Sequence, residues 1–578
     1  MASRRAMSRP STLNFFQGHH ATRPRPRSFT HRTSLLLVAR PTPRPQLPFL
    51  NPVSRVNAIQ AQVGRFISTE RKQRWKHNFW RQVRFHGYLW PSIFLVVVVM
   101  NGLKHVKLEQ EYPTPPEWSF WTRWSYRMAK YSEFEEEAKI HRVLTDWRQA
   151  GVYYMEVLKR LESEKYDGKD LVRNSSDQED GFNINAKSEQ WQRSYLEVLM
   201  GAARVSENLQ GMCRRKGDPK GKIYPRECIP GPDNPRPKPL PWNKNKSHKN
   251  PPHAHEVEDA FPSPHIFYNR ILTTDSFTTR ERLDAALAYA DWMEFTGQAE
   301  ASDQWYQRGV MIASRALPAN VRDSVVDLNS GVINKTHDED VTDNVLKAST
   351  ALAVHYARGG RVKDALPIFL SVLRARKSLP PSPLGATGKK ERTRQNNNTW
   401  LENLYALKDL IIERPFPPPS PTGDERPYHT LKEACEEVAL MTYIGEILFA
   451  TSESEREKGL GWTRDSVDAA EAVMWVMDEQ KVDDGRETCR QCLETGLQNW
   501  KEMARHMARL AGTKEAEIRN GSGLLGLGFG KSGQLSKAHQ ETMRWEEENE
   551  VIELRRQKTL PLTQAPKAVV GDWRANSA

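Results

Sequence analysis

The first 67 residues contain no aspartate, no glutamate and no lysine, but they hold 11 arginines. Globular surfaces mix both charge signs, so this absence argues against an ordinary folded surface there. An acid-free, Arg- and Ser-rich leader is instead what mitochondrial import requires, because acids oppose the pull of the membrane potential on cationic segments. Cysteine is also scarce. Five in 578 residues exclude a disulfide-dense scaffold. Cys489 and Cys492 form a CxxC, but it falls in a helical pattern with no second pair or nearby histidine. They read as two ordinary helix residues and not as a tetrahedral metal site. Spacing alone does not fix the redox states of these two or of Cys213, Cys228 and Cys435. Charge of one sign is lacking over the bulk of the chain. The net charge is +13, yet after residue 67 there are 74 basic against 72 acidic residues, and from residue 85 onward 68 against 71. That near neutrality excludes the phosphate-neutralising surface of a nucleic-acid binder.

Within the leader, Val56, Ile59, Val63 and Phe66 recur at helical spacing with Arg55 and Arg65 outside the stripe, an amphipathic pattern. Arg65-Phe66-Ile67-Ser68 resembles the matrix processing site of presequences and implies a cut after Ile67. A basic segment follows at 68–84. The sequence then offers one long uncharged run, Phe85 to Leu103, about the length a helix needs to cross the hydrocarbon layer. A transmembrane helix is drawn over 85–105. Arg71, Lys72, Arg74, Lys76, Arg81 and Arg84 precede it, whereas Lys104, Lys107, Glu109 and Glu111 follow. The positive-inside bias places the N-terminus in the matrix and everything after the span in the intermembrane space. Trp80, Tyr88 and Trp90 suit the headgroup level, and Tyr112 to Pro116 is a stiff connector that ends the helix.

Beyond the connector no strand pattern stands out, so the fold class is all-α. Helical periodicity covers Trp118 to Lys165 and Gln190 to Gln210 within a helical N-terminal part at 106–213. Pro, Lys and Asn crowd residues 214–265, which read as a disordered insertion, and His253 and His255 there read as solvated loop residues. Further loops are expected at 380–398, 414–427 and 521–533, and a tail at 559–578. Gly530-Lys531-Ser532 lacks the glycine a phosphate loop needs five residues earlier, where Leu525 stands.

Residues 266–558 carry internal self-similarity. Leu352, Tyr356, Gly360, Ala365 and Phe369 stand at the same offsets as Tyr289, Met293, Gly297, Ser302 and Tyr306, 63 residues earlier. The pattern resembles the tetratricopeptide (TPR) helical hairpin, with glycine closing the turn and a small residue admitting the second helix. A third candidate begins at Ile444-Gly445 with Leu448, and its partner helix includes Ala469 and Ala470. The helical segments Arg486 to Leu510 and Gln534 to Arg556 extend the stack. Departures are visible: the expected early tryptophan is Ser349 in one repeat and Ala286 in the other, and the closing prolines are displaced to Pro380 and Pro318. The expectation is a single transmembrane helix followed by a TPR-like α-solenoid with long disordered insertions.

The layout of presequence, single span, matrix-facing N-terminus and repeats well after the span resembles the fungal TPR-like adaptor subunit of the mitochondrial inner-membrane i-AAA protease complex. No Ser/His/Asp, Cys/His or paired-carboxylate arrangement emerges from the spacing, so an enzyme is not expected, and the resemblance implies a protein-binding adaptor. It would deliver unfolded clients to an AAA protease, with no cofactor, metal or nucleic acid of its own. A scaffold or assembly factor for a respiratory or import complex shares these features, and an enzyme within Trp118 to Gln210 is the remaining rival. TPR packing would turn Asp284, Leu287, Asp291, Glu294 and Phe295 of one repeat inward. Lys347, Thr350, Val354, Ala357 and Arg358 of the other would join them, with Leu287, Phe295 and Val354 as apolar anchors. If the leader is cleaved as its motif implies, terminal sequencing of the mature protein reads Ser68 or a residue beside it. A mature chain beginning at Met1 contradicts the presequence reading.

Overall fold

The computed structural model describes residues 69–133, 146–173, 181–218, 221–240, 251–382, 416–520 and 531–563. The leader, its cleavage motif, most of the loop at 380–398, residues 521–530 and most of the C-terminal tail lie outside them. The chain divides into two compact units, 1–97 and 98–578. Helix α1 spans Thr69–Glu111, and the prolines after Tyr112 stop it as the sequence predicts. The side chains of its uncharged run face solvent almost throughout. Among the described residues it is the helix long and apolar enough to cross a membrane.

In the second unit, the last residues of α1 pack on α2 (Phe120–Glu133). Leu108 is buried, Arg127 pairs with Glu109, and the hydroxyl of Thr114 donates to Glu109 at 2.7 Å. Helices α3 (Trp147–Leu161) and α4 (Glu189–Asn208) complete the N-terminal helical part. Gly201 of α4 lies against the ring of Tyr154, where a Cβ would come within 2.4 Å. A two-stranded pair, β1 (Val172–Arg173) and β2 (Phe182–Asn183), lies between α3 and α4.

Among its described residues, the segment expected to be a disordered insertion contains strands. Strands β3 (Met212–Arg215), β4 (Ile223–Pro225) and β5 (Val257–Asp259) form a small antiparallel sheet in the order β4-β3-β5. Cys228, Ile229, Leu240 and Ala260 are buried. Cross-strand pairs Arg214–Glu258 and Arg215–Glu256 lie along the β3–β5 edge. Strands of three or four residues show no alternation a periodicity reading can detect, which is why this order escapes the sequence. His253 and His255 are exposed.

After α5 (Pro264–Leu272) come two helical hairpins, α6 (Thr279–Phe295) with α7 (Ala299–Arg315), and α8 (Asp343–Arg358) with α9 (Val362–Lys377). Thr278 and Glu281 form a reciprocal capping box at the start of α6. The Thr342 hydroxyl caps α8, and each such cap is worth about 1 kcal/mol. Both hairpins turn at a glycine with positive φ, +80° at Gly297 and +74° at Gly360, a conformation that favours glycine at a helix end. Tyr289, Tyr306, Leu352, Tyr356, Ala365 and Phe369 are all buried.

The third candidate repeat is a hairpin of α10 (Leu431–Thr451) and α11 (Arg456–Gln480). Its first helix begins well before Ile444, so Gly445 is an interior residue of that helix. It lies mid-helix against Gly459, each glycine's missing Cβ allowing the two backbones to touch. Helices α12 (Arg486–Asn520) and α13 (Lys531–Thr563) continue the stack.

Cys489 of α12 is bonded to Cys435 of α10, which corrects its reading as an ordinary helix residue. Its partner lies 54 residues away, so local spacing carried no sign of it. Cys492 keeps a free, half-buried thiol pushed up to about 11 by burial and by Glu436. Closing a loop of that length constrains the unfolded chain by about 4 kcal/mol. Replacing Cys489 by Ser should therefore lower the denaturation midpoint of this region and raise hydrogen exchange in α10 and α12. Unchanged exchange there would show that the bond does not constrain the fold.

Candidate functional site

The residues that TPR packing would turn inward lie on α6 and α8, and the structure uses most of them to join the two hairpins. On α6, Arg280, Asp284, Leu287, Asp291 and Phe295 recur at three- and four-residue spacing, so they share one side of the helix. Asp284 accepts from Lys347 at 2.7 Å, and Arg280 donates to Asp343 at 2.6 Å. At the other end, Arg358 reaches Asp291 and Glu294 at 3.8 and 3.9 Å.

Leu287 is not an accessible anchor. It is buried in the core, and Gly309 of α7 brings that helix close enough that an added Cβ would lie 3.1 Å from the leucine methyl. Val354 and Ala357 are half-buried and lean on the same core. The Thr350 hydroxyl donates to the Leu346 carbonyl at 2.7 Å. Phe295 alone of the ten projects freely, at 88% exposure. It stands one turn beyond Asp291, at the end where α6 meets its glycine turn.

The seam contains a buried group that sequence reading did not single out. His355 of α8 lies between two carboxylates, with Nδ1 3.0 Å from Glu294 and Nε2 against Asp303 of α7. Tyr306 stacks on the imidazole at 4.4 Å between centroids, and its hydroxyl donates to Asp291. Arg361 donates to Asp303 at 2.8 Å and covers the Tyr356 ring at 4.1 Å. No local motif marks this cluster, because its members come together only when α7 and α8 pack across some 50 residues of chain.

Two further features border α6 and α8. A cleft of about 240 Å³ is lined by Lys130, Glu197, Met200, Arg204, Glu281 and Asp284 among others. It carries both charge signs and is smaller than a typical small-molecule site. The described part of the loop expected at 414–427, together with the residues up to 430, runs across the N-terminal ends of α4 and α8. Arg193 donates to the carbonyls of Pro417 and Pro418 at 3.0 Å, and the Asn344 amide donates to Thr422 and Asp424. Among the described residues, no group of three or more His, Cys, Asp and Glu side chains is arranged to hold a metal ion.

No protein-family model matches the chain, and no curated protein matches it. Among solved structures, it is similar to the Rap conjugation gene regulator of the plasmid pLS20 in complex with the Phr* peptide. The TM-score is 0.25 and the identity 10%, over 75% of each chain. At that TM-score the likeness adds nothing to the hairpin assignment, which rests on the packing above.

The polar seam makes its own prediction. Burial alone would raise the Asp303 carboxyl, but hydrogen bonds from Arg361 and His355 outweigh it and hold the group below the usual carboxylate range. A depressed folded value means that stability is present above the unfolded value, near pH 4, and is lost as pH falls through the folded one. Asp303→Asn should therefore flatten the acid limb of the stability profile below about pH 4, read as unfolding midpoint against pH. An identical acid limb in the variant would mean that the carboxylate does not contribute.

Proposed function

We propose that this chain is a protein-binding adaptor anchored in the mitochondrial inner membrane, with its helical hairpins in the intermembrane space. In this reading it holds unfolded clients for an i-AAA protease, which supplies the ATPase and peptidase chemistry. The observation that carries the adaptor reading is the coupling, in one chain, of an apolar solvent-facing helix of spanning length to hairpins from which Phe295 projects. A large aromatic side chain in water gives up about 1.5–3 kcal/mol that burial would recover, and aromatic anchors dominate protein interfaces. The seam's charged groups Asp284, Glu294, Asp303 and His355 are engaged with partners across the hairpins, which supports a role for them in aligning the two. The leader and the charge bias around the span support the membrane and the orientation. The protease rests on the resemblance of layout.

A scaffold for a respiratory or import complex would use the same anchor and the same aromatic. A photo-cross-linking amino acid at position 295, in mitochondria, separates the two. Adducts with an AAA protease or with unfolded inner-membrane proteins support the adaptor reading, whereas adducts confined to respiratory or translocase subunits favour the scaffold. Phe295→Ala should lower partner capture several-fold while leaving the melting temperature unchanged, because the side chain touches no core.

A further inference from the structure

Two large aromatic side chains of the second unit stand in solvent beside the C-terminal end of α1. Phe120 is 65% and Trp121 59% exposed at the start of α2. Their projection is built. The Asp167 carboxylate accepts from the Ser119 backbone at 3.1 Å and from the hydroxyls of Ser119 and Thr122 at 2.9 and 2.5 Å. That fixes where the helix begins. Trp118 is buried edge-on against Tyr126 and Thr122 is buried as well, so Phe120 and Trp121, which lie between these inward positions, face solvent.

The height of this corner relative to the C-terminal end of α1, within the same unit, is also fixed. Trp124, one helical turn after Phe120 and Trp121, donates its indole N–H to His105 at 2.9 Å. His105 is the last residue of the proposed span and lies roughly 3 Å along the axis from Leu103, where the uncharged run ends. Trp121 meets Trp124 edge-on at 6.2 Å, and Phe120 meets Trp121 at 5.4 Å. An aromatic series thus leads from the end of the apolar run to the exposed pair. Lys104, whose ammonium lies 3.6 Å over the Tyr131 ring, and exposed Lys107 bring positive charge to the same level.

Tryptophan concentrates at the headgroup level of bilayers, where its apolar face leaves water and its indole N–H keeps a polar partner, and Phe120 adds apolar area beside Trp121. We propose that the Phe120–Trp121 corner is a second membrane contact, seated in the headgroup region of the bilayer that α1 crosses. The inference rests on reading α1 as a span. It gives the folded unit a point of attachment beside the helix axis.

The test uses nitroxide labels on the full chain reconstituted in phosphatidylcholine vesicles containing phosphatidylserine. Labels are placed by Phe120→Cys, Val98→Cys and Phe295→Cys in a background carrying Cys492→Ser, Cys213 and Cys228 being buried. Collision with oxygen, which concentrates in lipid, is compared with collision with a water-soluble nickel chelate. The ratio should favour oxygen at 98 and 120, several-fold above that at 295. Lipid access at 98 with a water-like ratio at 120 overturns the corner contact and leaves the span standing. A water-like ratio at 98 removes the span and the inference with it. A label at 120 shielded from both reagents means that protein covers the corner, and this too overturns the proposal.

Discussion

Helix α6 is buried on two sides, and the continuity of the hairpin stack depends on it. Ala285, Tyr289, Trp292 and Met293 enter the core shared with α2 to α5, while Leu283, Leu287 and Ala290 enter the core shared with α7 to α9. A helix with two apolar faces cannot be amphipathic in the ordinary sense. Its alanines at 285, 286 and 290 are fully buried, and small side chains let neighbouring helices approach from both directions. Helix α10 repeats the device further along, with Leu440, Ile444 and Ile447 in the middle core and Cys435 and Val438 in the last. Two bridging helices thereby turn three hydrophobic clusters into one stack.

Because so much of α6 is apolar, its polar groups fall on a narrow strip, and α8 meets that strip. The resulting seam is graded. The pairs Asp284–Lys347 and Asp291–Arg358 have side chains 38% to 62% exposed and contribute little to stability, since screening and side-chain entropy offset the attraction. His355 is different: its side chain is 5% exposed, and both ring nitrogens face carboxylates. Removing either partner would strand a buried polar group, so this end of the seam specifies how the hairpins align more than it stabilises them.

The hairpins and the apolar helix were legible in the sequence because each is written in local signals. A glycine able to take positive φ stands at both turns, with buried aromatic or aliphatic residues at fixed offsets around it. Nineteen uncharged residues need no distant partner to be recognised. The rest was not local. Leu287 has the spacing of a groove residue, and only the approach of Gly309 from α7 makes it core. The Cys435–Cys489 bond joins helices separated by another helix. Order in the sheet of β3 to β5 comes from backbone pairing across more than 40 residues and from the burial of Cys213, Cys228, Ile229, Leu240 and Ala260. In each case a residue type compatible with two environments was assigned by a contact that the spacing did not contain.

The segment 416–430 decides from which end the seam can be approached. Asn344 is fully buried at the start of α8, where its side-chain amide donates to Thr422 and Asp424 at 2.9 and 2.8 Å and its backbone N–H to Gly423 at 3.1 Å. Displacing that segment would exchange these three hydrogen bonds for bonds to water, at a net cost of about 0.5–1.5 kcal/mol for each. The N-terminal ends of α4 and α8 are thus closed by the chain itself. The opposite end of α6 carries Phe295 and the glycine turn, and Phe295 is 88% exposed. In the adaptor reading proposed above, an extended segment would meet Phe295 first, with Asp291 and Arg358 beside it, without displacing residues 416–430.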